Sequence, residues 1–312
     1  MGKIAFVFPG QGSQSVGMGK DLYDAYPTAK AVFEEANDAL GFDLAKLCFE
    51  GPEEELTLTT NTQPAIVTVS VAALRVLQEQ HKQEVAFVAG HSLGEYSALV
   101  CAGAIAFADA VRTVRKRGEF MQDAVPVGIG SMAAIIGLSQ EDVEELCQQV
   151  NSDGNIATLA NLNSPGQYVI SGHTQAVERI VELAKEHGAK RAIPLAVSAP
   201  FHCVLMQPAA DKLAPVLHAV NFNDLMIPLV NNAEASIITA GAKACDSLVR
   251  QIYTSVKWDQ SIRLMIEQGV STFVEIGPGK VLSGLLKRIE KTANGLNIND
   301  VDTLGKTLNA LQ

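Results

Sequence analysis

Cysteine is scarce in this 312-residue chain, and the few residues present do not have the spacing of metal ligands. The five are Cys48, Cys101, Cys147, Cys203 and Cys245. Their odd number and wide separation argue against a disulfide scaffold and against a zinc site. We therefore interpret them as reduced thiols that mostly fill the core of a cytoplasmic protein, and we expect no bound metal.

Long apolar runs are also absent, because no uninterrupted stretch reaches the length that crosses a membrane. The N-terminus enters a strand pattern directly after Lys3, so a secretory leader is not expected. The net charge of −10 argues against a nucleic-acid partner. Apolar residues make up 47% of the chain, which is too much for a disordered protein and enough for a large core.

Phosphate-binding loops are missing as well. The first strand pattern ends at Phe8 and is followed by the loop Pro9-Gly10-Gln11-Gly12-Ser13-Gln14. Its glycines do not form G-x-G-x-x-G, and no Lys-Ser or Lys-Thr pair completes a P-loop. A tight turn after the first strand is the simpler interpretation of these residues.

The most informative stretch that is present is 85–98. Val85 to Ala89 is an apolar run typical of a buried parallel strand, Gly90-His91-Ser92-Leu93-Gly94 fits G-x-S-x-G, and a helix-forming run follows. This strand, turn and helix are the context of a nucleophile elbow. The turn would expose the Ser92 hydroxyl at a helix N-terminus, and the N–H group of Leu93 would face a developing oxyanion. An ordinary strand-to-helix turn is the alternative.

The apolar patterns predict an α/β fold interrupted by a smaller unit. Residues 1–125 and 198–312 alternate strands and helices, which indicates a large α/β-hydrolase-like domain with a parallel sheet. Residues 126–197 have the order β-α-β-β-α-β, which is the ferredoxin-like arrangement. We expect the central hairpin of this insert to turn at Asn163-Ser164-Pro165-Gly166.

Two local details complete the fold prediction. Pro64 is expected in the first turn of a helix that runs to about Gln80. The last twenty or so residues are expected to be loosely tethered to the rest of the chain.

A serine nucleophile needs a general base, and six histidines are available. His91 is a poor candidate because adjacent side chains at a tight turn diverge. His202 follows a predicted strand and lies in a loop, where catalytic partners occur in α/β folds. The other four are candidates for surface or capping positions: His81, His173, His187 and His218. The residues alone do not decide whether His202 is the base. No carboxylate stands out in the sequence as the group that would orient it.

The motifs GHSLGE, at Gly90 to Glu95, and FPGQGSQ, at Phe8 to Gln14, carry a resemblance to a known family. Both are similar to motifs of the acyltransferase family of fatty acid and polyketide synthesis. The likeness extends to about Arg288 and is nearest to the stand-alone members that move malonyl from coenzyme A to acyl carrier protein. It implies Ser92 as nucleophile and His202 as base, with no tightly bound cofactor and malonyl-CoA as substrate.

The same resemblance implies further site residues. The backbone N–H of Gln11 would join that of Leu93 in the oxyanion hole, and Gln251 would orient His202 through its side chain or backbone carbonyl. Arg117 would bind the malonyl carboxylate, for which its planar fork is suited. The remaining implied pocket residues are Gln63 and Phe201.

Acyl carrier protein is the partner that this resemblance implies, and a carrier that is acidic in this family would need a basic patch. Lys190 and Arg191 are candidates for it, although basic clusters are more often solvated helix faces. Two alternatives stay open: a serine esterase or thioesterase with the same nucleophile, and a non-catalytic scaffold subunit. Arg117 and the absent triad acid favour transfer over hydrolysis, and intact Ser92 and His202 disfavour the scaffold.

Overall fold

The computed structural model describes residues 2–152, 154–197 and 199–311. Ser198, at the expected return from the insert, lies outside these ranges. The described residues form ten strands: β1 (Lys3–Phe8), β2 (Phe87–Gly90), β3 (Gly130–Ile136), β4 (Ala157–Ser164), β5 (Gln167–His173), β6 (Arg191–Pro194), β7 (Leu229–Val230), β8 (Ile237–Ile238), β9 (Val270–Ile276) and β10 (Asn294–Ile298).

Fourteen α-helices accompany these strands in the described ranges. They are α1 (Lys20–Ala25), α2 (Pro27–Leu40), α3 (Leu44–Glu50), α4 (Glu53–Thr57), α5 (Thr59–Gln80), α6 (Gly94–Cys101), α7 (Phe107–Asp123), α8 (Gln140–Val150), α9 (Thr174–Glu186), α10 (Gln207–His218), α11 (Gly241–Gln251), α12 (Trp258–Glu267), α13 (Val281–Ile289) and α14 (Val301–Leu311). A short 3₁₀ turn, Val204–Met206, precedes α10. No helix in the described ranges is long and apolar enough to span a membrane.

The strands form two sheets, which define two units. The large unit contains a six-stranded sheet in the order β10-β9-β1-β2-β7-β8, in which every pair is parallel except β7–β8. Its central strand β2 is buried along its whole length, which explains the continuous apolar run in the sequence. The predicted α/β fold class, with a parallel sheet and a strand-turn-helix elbow, is confirmed.

The small unit spans 130–194 and contains a four-stranded antiparallel sheet in the order β4-β5-β3-β6. Its elements follow the predicted order β-α-β-β-α-β, with α8 and α9 packed on one face around their own apolar core. The other face contributes Met132, Ala160 and Val169 to the main core of the large unit. The hairpin turns at Pro165-Gly166, because β4 continues through Ser164.

Two sequence predictions about helices and ends were wrong. Pro64 lies inside α5, which begins five residues earlier at Thr59. A proline lacks the N–H that would bond the carbonyl of Thr60, and that carbonyl instead accepts a hydrogen bond from Arg115 at 3.1 Å. The proline is therefore tolerated because a neighbouring helix satisfies the freed acceptor.

The C-terminal residues are not loosely tethered. Strand β10 extends the large sheet beside β9, and α14 buries Leu304 and Leu311 against the core. The short β10 has little apolar character, so its sequence gave a weak strand signal, whereas its backbone pairing with β9 holds it in place.

Candidate active site

The site is built at the carboxyl end of β2, where the chain turns into α6. A Cβ added to Gly90 would lie 1.9 Å from the carbonyl carbon of Gly94, and one added to Gly94 would lie 2.1 Å from the carbonyl oxygen of Phe8. Only glycine fits at both positions because the helix starts in contact with the strands. Between them Ser92 has φ 50°, a left-handed conformation that is strained for a residue with a Cβ.

Two buried amide side chains hold the backbone of Ser92 in this conformation. Its N–H donates to Oδ1 of Asn232 at 2.6 Å, and its carbonyl accepts from Nε2 of Gln251 at 3.0 Å. Asn232 also donates to the carbonyl of Gly90 at 2.7 Å. The backbone of the strained turn is therefore held by side chains that do not belong to α6. Ser92 itself is half-buried.

Ser92 and His202 are paired. Oγ of Ser92 lies 2.7 Å from Nε2 of His202, and Nδ1 of His202 lies 2.8 Å from the backbone carbonyl of Gln251. A carbonyl only accepts, so Nδ1 must carry the proton and Nε2 must present its lone pair to the serine hydroxyl. His202 itself has φ 61°, which indicates that its position is imposed by the surrounding structure.

His202 is buried, and this burial together with the nearby charge of Arg117 lowers its pKa from 6.5 to about 3. A neutral imidazole is therefore present throughout the neutral range, in the form that accepts a proton from Ser92. The carbonyl of Gln251 fixes the tautomer without adding a negative charge. Such an acceptor stabilises imidazolium less than a carboxylate would.

Arg117, on α7, is the cation of the site and is only 2% exposed. Its Nη1 donates to Oε1 of Gln63 at 2.9 Å, and its Nη2 donates to Oγ of Ser92 and to Oε1 of Gln251, each at 3.0 Å. Its Nε–H has no hydrogen-bond partner among the described residues. A buried guanidinium with neutral partners and an unused donor is a ready partner for a carboxylate.

A cavity of about 120 Å³ opens beside these groups, which is room for roughly four water molecules. Ser92, His202 and Arg117 form its polar end. The remaining lining residues come from both units: Gln11, Gln63, His91, Leu93, Met121, Met132, Asn161, Leu195, Val197 and Phe201. Its size suits an acyl group of a few carbon atoms.

The two proposed oxyanion donors lie at this cavity. Gln11 and Leu93 both line it, and the backbone N–H of neither has a hydrogen-bond partner among the described residues. The side chain of Gln11 is held aside by its bond to Oγ1 of Thr59 at 3.2 Å. The geometry thus brings together the residues that the sequence suggested for the reaction. Seven of them line the cavity, and Gln251 contacts Arg117 and Ser92 behind it: Ser92, His202, Arg117, Gln63, Phe201, Gln11, Leu93 and Gln251.

The ring of His91 lines the cavity but, among the described residues, makes no hydrogen bond to Ser92 or His202. Its Nε2 lies 2.8 Å from Oδ1 of Asn163, on β4 of the small unit, and its ring lies 5.5 Å from that of Trp258. The described residues contain no cluster of three or more His, Cys, Asp or Glu side chains that could hold a metal ion.

Comparison with known proteins places this geometry in a family. The model of the acyl transferase domain matches residues 5–308, which is almost the whole chain. The chain belongs to the acyl transferase domain family.

Curated relatives of this acyl transferase have a common name. The chain is 52% identical to the malonyl CoA-acyl carrier protein transacylase of Bacillus subtilis, over 100% of this chain and 98% of the relative. It is also 52% identical to the protein of that name from Escherichia coli K12, over 99% of each.

Solved structures are equally similar. An acyl carrier protein S-malonyltransferase from Vibrio cholerae matches with a TM-score of 0.95 and 50% identity, over 98% of this chain and 99% of that one. A malonyl-transacylase solved in complex with a type II polyketide-synthase acyl-carrier protein matches with a TM-score of 0.96 and 50% identity, over 99% of each.

Two residues of the acyl transferase site were missed in the sequence. Asn232 follows β7 at the carboxyl edge of the sheet, where ligands bind in parallel α/β folds, so its position was the available signal. Glu95 ends the GHSLGE motif, but nothing in the sequence shows that its side chain points behind the elbow. Gln251 was expected to orient His202, and it is its backbone carbonyl that contacts the imidazole.

Proposed function

We propose that this acyl transferase moves a malonyl group from coenzyme A to the phosphopantetheine thiol of acyl carrier protein, through an ester on Ser92. The observation that carries the proposal is the shared position of Arg117 and His202, which lie 3.0 and 2.7 Å from the same serine oxygen. Arg117 would bind the carboxylate of the acyl group, and His202 would remove the proton of the serine hydroxyl. The names of the relatives and the carrier-bound neighbour support this substrate and this partner.

The first half-reaction forms the acyl-enzyme. Oγ of Ser92 attacks the thioester carbon of malonyl-CoA while its proton passes to Nε2 of His202. The N–H groups of Leu93 and Gln11 stabilise the oxyanion, a contribution of roughly 3–4 kcal/mol for each donor. When the tetrahedral intermediate collapses, the C–S bond breaks and the coenzyme A sulfur takes the proton from His202.

The second half-reaction returns the serine. The carrier's thiol gives its proton to Nε2 of His202, and its sulfur attacks the ester carbon. The C–O bond to Ser92 then breaks, and Oγ takes the proton back from His202. A thiol is more acidic and more nucleophilic than water, so a base with only a neutral acceptor behind it is sufficient for this step.

Arg117 makes the site selective in this proposal. The carboxylate of malonyl would pair with the guanidinium, whose present partners are all neutral. Gln63 would hold the guanidinium from the opposite side, and Phe201 would narrow the cavity wall. An acyl group without a carboxylate would leave Arg117 buried and unpaired.

We also propose that residues 126–197 form a separate small domain and that the protein works in the cytoplasm. The separate sheet and core of the small unit support the first proposal. The five cysteines, all buried and free in the described structure, support the second.

Intact-protein mass spectrometry tests the proposed chemistry. Incubation with malonyl-CoA alone should add one malonyl group, and peptide mapping should place it on Ser92. Ser92→Ala should show no adduct, whereas an adduct that persists in that variant, for instance on Cys203, would refute the assignment.

A further inference from the structure

One carboxylate lies inside the cluster of amides behind Ser92. Glu95, in the first turn of α6, is fully buried. Its Oε2 accepts from the backbone N–H of Asn232 at 2.9 Å and from Nε2 of Gln251 at 3.1 Å. Its Oε1 has no hydrogen-bond partner among the described residues. The mechanism uses neither oxygen, and a buried carboxylate with an unused oxygen costs stability, so its presence needs a reason.

The reason is found in the amide of Gln251. A carboxylate only accepts hydrogen bonds, so it forces the NH₂ end of that amide towards itself. The carbonyl end, Oε1, is thereby left to accept from Nη2 of Arg117 at 3.0 Å. A flipped amide would face the guanidinium with its own N–H groups, and two sets of donors repel each other. Glu95 therefore favours the amide orientation that holds Arg117, together with the carbonyl of Ser92 and Oδ1 of Asn232, which accept from the same Nε2 at 3.0 and 3.3 Å.

The same amide also reaches the nucleophile, because Nε2 of Gln251 donates to the carbonyl of Ser92. Glu95 and Arg117 form no direct ion pair in the described structure, so the amide is the link between the anion and the cation. We propose that Glu95 is a positioning residue for malonyl transfer, which fixes the side-chain amide of Gln251 and through it the guanidinium of Arg117. This inference rests on the proposed function.

A purely structural role fits Glu95 poorly. Burial raises its pKa from 4.5 to about 7, although its bond from Asn232 acts in the opposite direction. A raised pKa means that the fold favours the protonated form. The contribution of this group to stability is complete below about pH 4.5 and is lost as the pH rises through 7. At pH 8 the ionised carboxylate therefore weakens the fold, and a neutral isostere should not.

Glu95→Gln is the test variant, and Glu275→Gln is its matched control. Glu275 is another buried glutamate with a raised pKa, but its carboxylate bonds Leu282 and Ser283 at the start of α13 and none of the site residues. The rates of acyl-Ser92 formation from malonyl-CoA and from acetyl-CoA are measured at pH 8 by rapid quench and mass spectrometry. Thermal unfolding of each variant is measured in the same buffer.

We expect Glu95→Gln to load malonyl up to about a hundredfold more slowly. The rate of acetyl loading should fall much less, because only malonyl has a carboxylate that depends on the position of the Arg117 guanidinium. Its melting temperature at pH 8 should equal or exceed that of the parent protein. Glu275→Gln should load malonyl at the parent rate. Malonyl loading by Glu95→Gln at the parent rate would overturn the inference, as would equal losses for both acyl groups or a melting temperature that falls together with activity.

A pH series adds a second readout. The preference for malonyl over acetyl should decline in the parent protein as the pH falls from 8 to 6 and Glu95 takes up a proton, and it should stay level in Glu95→Gln. The other ionisable groups that act on Glu95 include Arg117 on α7 and Glu234, which is paired with Arg250 at 2.7 Å. The adjacent Tyr96 is also coupled to Glu95, and burial raises the pKa of its hydroxyl above the usual value. Neither His202, with a pKa of about 3, nor Arg117 titrates in this range. A preference that does not change in the parent protein would contradict the inference.

The parent protein separates the two hypotheses. If it forms no malonyl-Ser92, the proposed function fails, whatever Glu95 does. If it loads malonyl and Glu95→Gln loads it equally well, only the positioning role fails.

Discussion

The large and small units border the same cavity but contribute to it in different ways. The large unit supplies Ser92, His202 and Arg117, the three side chains to which the proposed transfer assigns the acyl ester, the proton and the malonyl carboxylate. The small unit supplies Met132 and Asn161, which line the cavity wall. The groups of the proposed chemistry thus all belong to the large unit, whereas both units enclose the cavity.

The contacts that join the units explain this division. The N–H of Val256 donates to the carbonyl of Ala160 at 2.8 Å, the N–H of Leu162 donates to the carbonyl of Val256 at 2.9 Å, and His91 contacts Asn163. These bonds hold β4 beside the elbow without touching Oγ of Ser92. The small unit can therefore place part of the cavity wall while Ser92, His202 and Arg117 stay on elements of the large unit.

Removing the nucleophile should give the largest effect. Ser92→Ala is expected to lower malonyl transfer by about 10⁴-fold or more, since it removes the hydroxyl that lies 2.7 Å from Nε2 of His202. Steady-state transfer measures the loss, and His202→Ala should show a loss of similar order. The transfer rate of the double variant should be little lower than that of either single variant, because the two residues act as a unit. Losses that multiply would show that the two residues act independently.

Removing the cation of the large unit should give the next effect. Arg117→Ala should lower kcat/KM for malonyl-CoA by about a hundredfold or more, because the malonyl carboxylate would be buried unpaired. The loss with acetyl-CoA should be far smaller. Arg112→Ala is the control, because Arg112 lies on the same helix but is exposed and paired with Asp109 at 2.6 Å. Equal losses with both acyl groups would assign Arg117 a structural role.

Reversing two charges on the small unit should change only the step that involves acyl carrier protein. Lys190 and Arg191 are exposed at the start of β6. Changing both to glutamate should raise the KM for acyl carrier protein by about tenfold and weaken its salt dependence. Malonyl loading from coenzyme A should not change. An unchanged KM for the carrier would exclude this surface from docking.

Removing one side-chain hydrogen bond between the units should have the smallest effect. Asn163→Ala deletes the hydrogen bond to His91, a loss of about 1 kcal/mol, so malonyl loading should fall by about fivefold or less. The preference for malonyl over acetyl should persist because Arg117 is untouched. A loss as large as that of Arg117→Ala would show that the small unit takes a direct part in the chemistry.

The sequence was most informative about the large unit. The apolar run before Ser92 and the glycines around it predicted the strand, turn and helix, because few other structures satisfy that pattern. The order β-α-β-β-α-β likewise predicted the small sheet. The roles of individual site residues stay predictions, although the structure places those residues at one cavity or, for Gln251, in contact with Ser92 and Arg117.

The rest of the site could not be predicted, for physical reasons. Asn232 and Glu95 reach Gln251 only through tertiary packing, and an isolated Asn or Glu in a sequence usually lies at the surface. The bond between Arg115 and Thr60, which permits Pro64 inside α5, likewise depends on a contact between distant segments. The pairing of β10 with β9 also joins two separate segments of the chain. The local sequence pattern therefore did not show that the C-terminal residues are held in the sheet.

The fate of isolated malonyl-Ser92 tests the proposed transfer most directly. The acyl-enzyme, freed of coenzyme A, is divided between buffer alone and buffer with acyl carrier protein that bears phosphopantetheine. Transfer predicts that the malonyl group moves to the carrier's thiol while the portion in buffer keeps its ester over the same time. Rapid release of free malonate in buffer, without a carrier, would contradict transfer and identify a hydrolase.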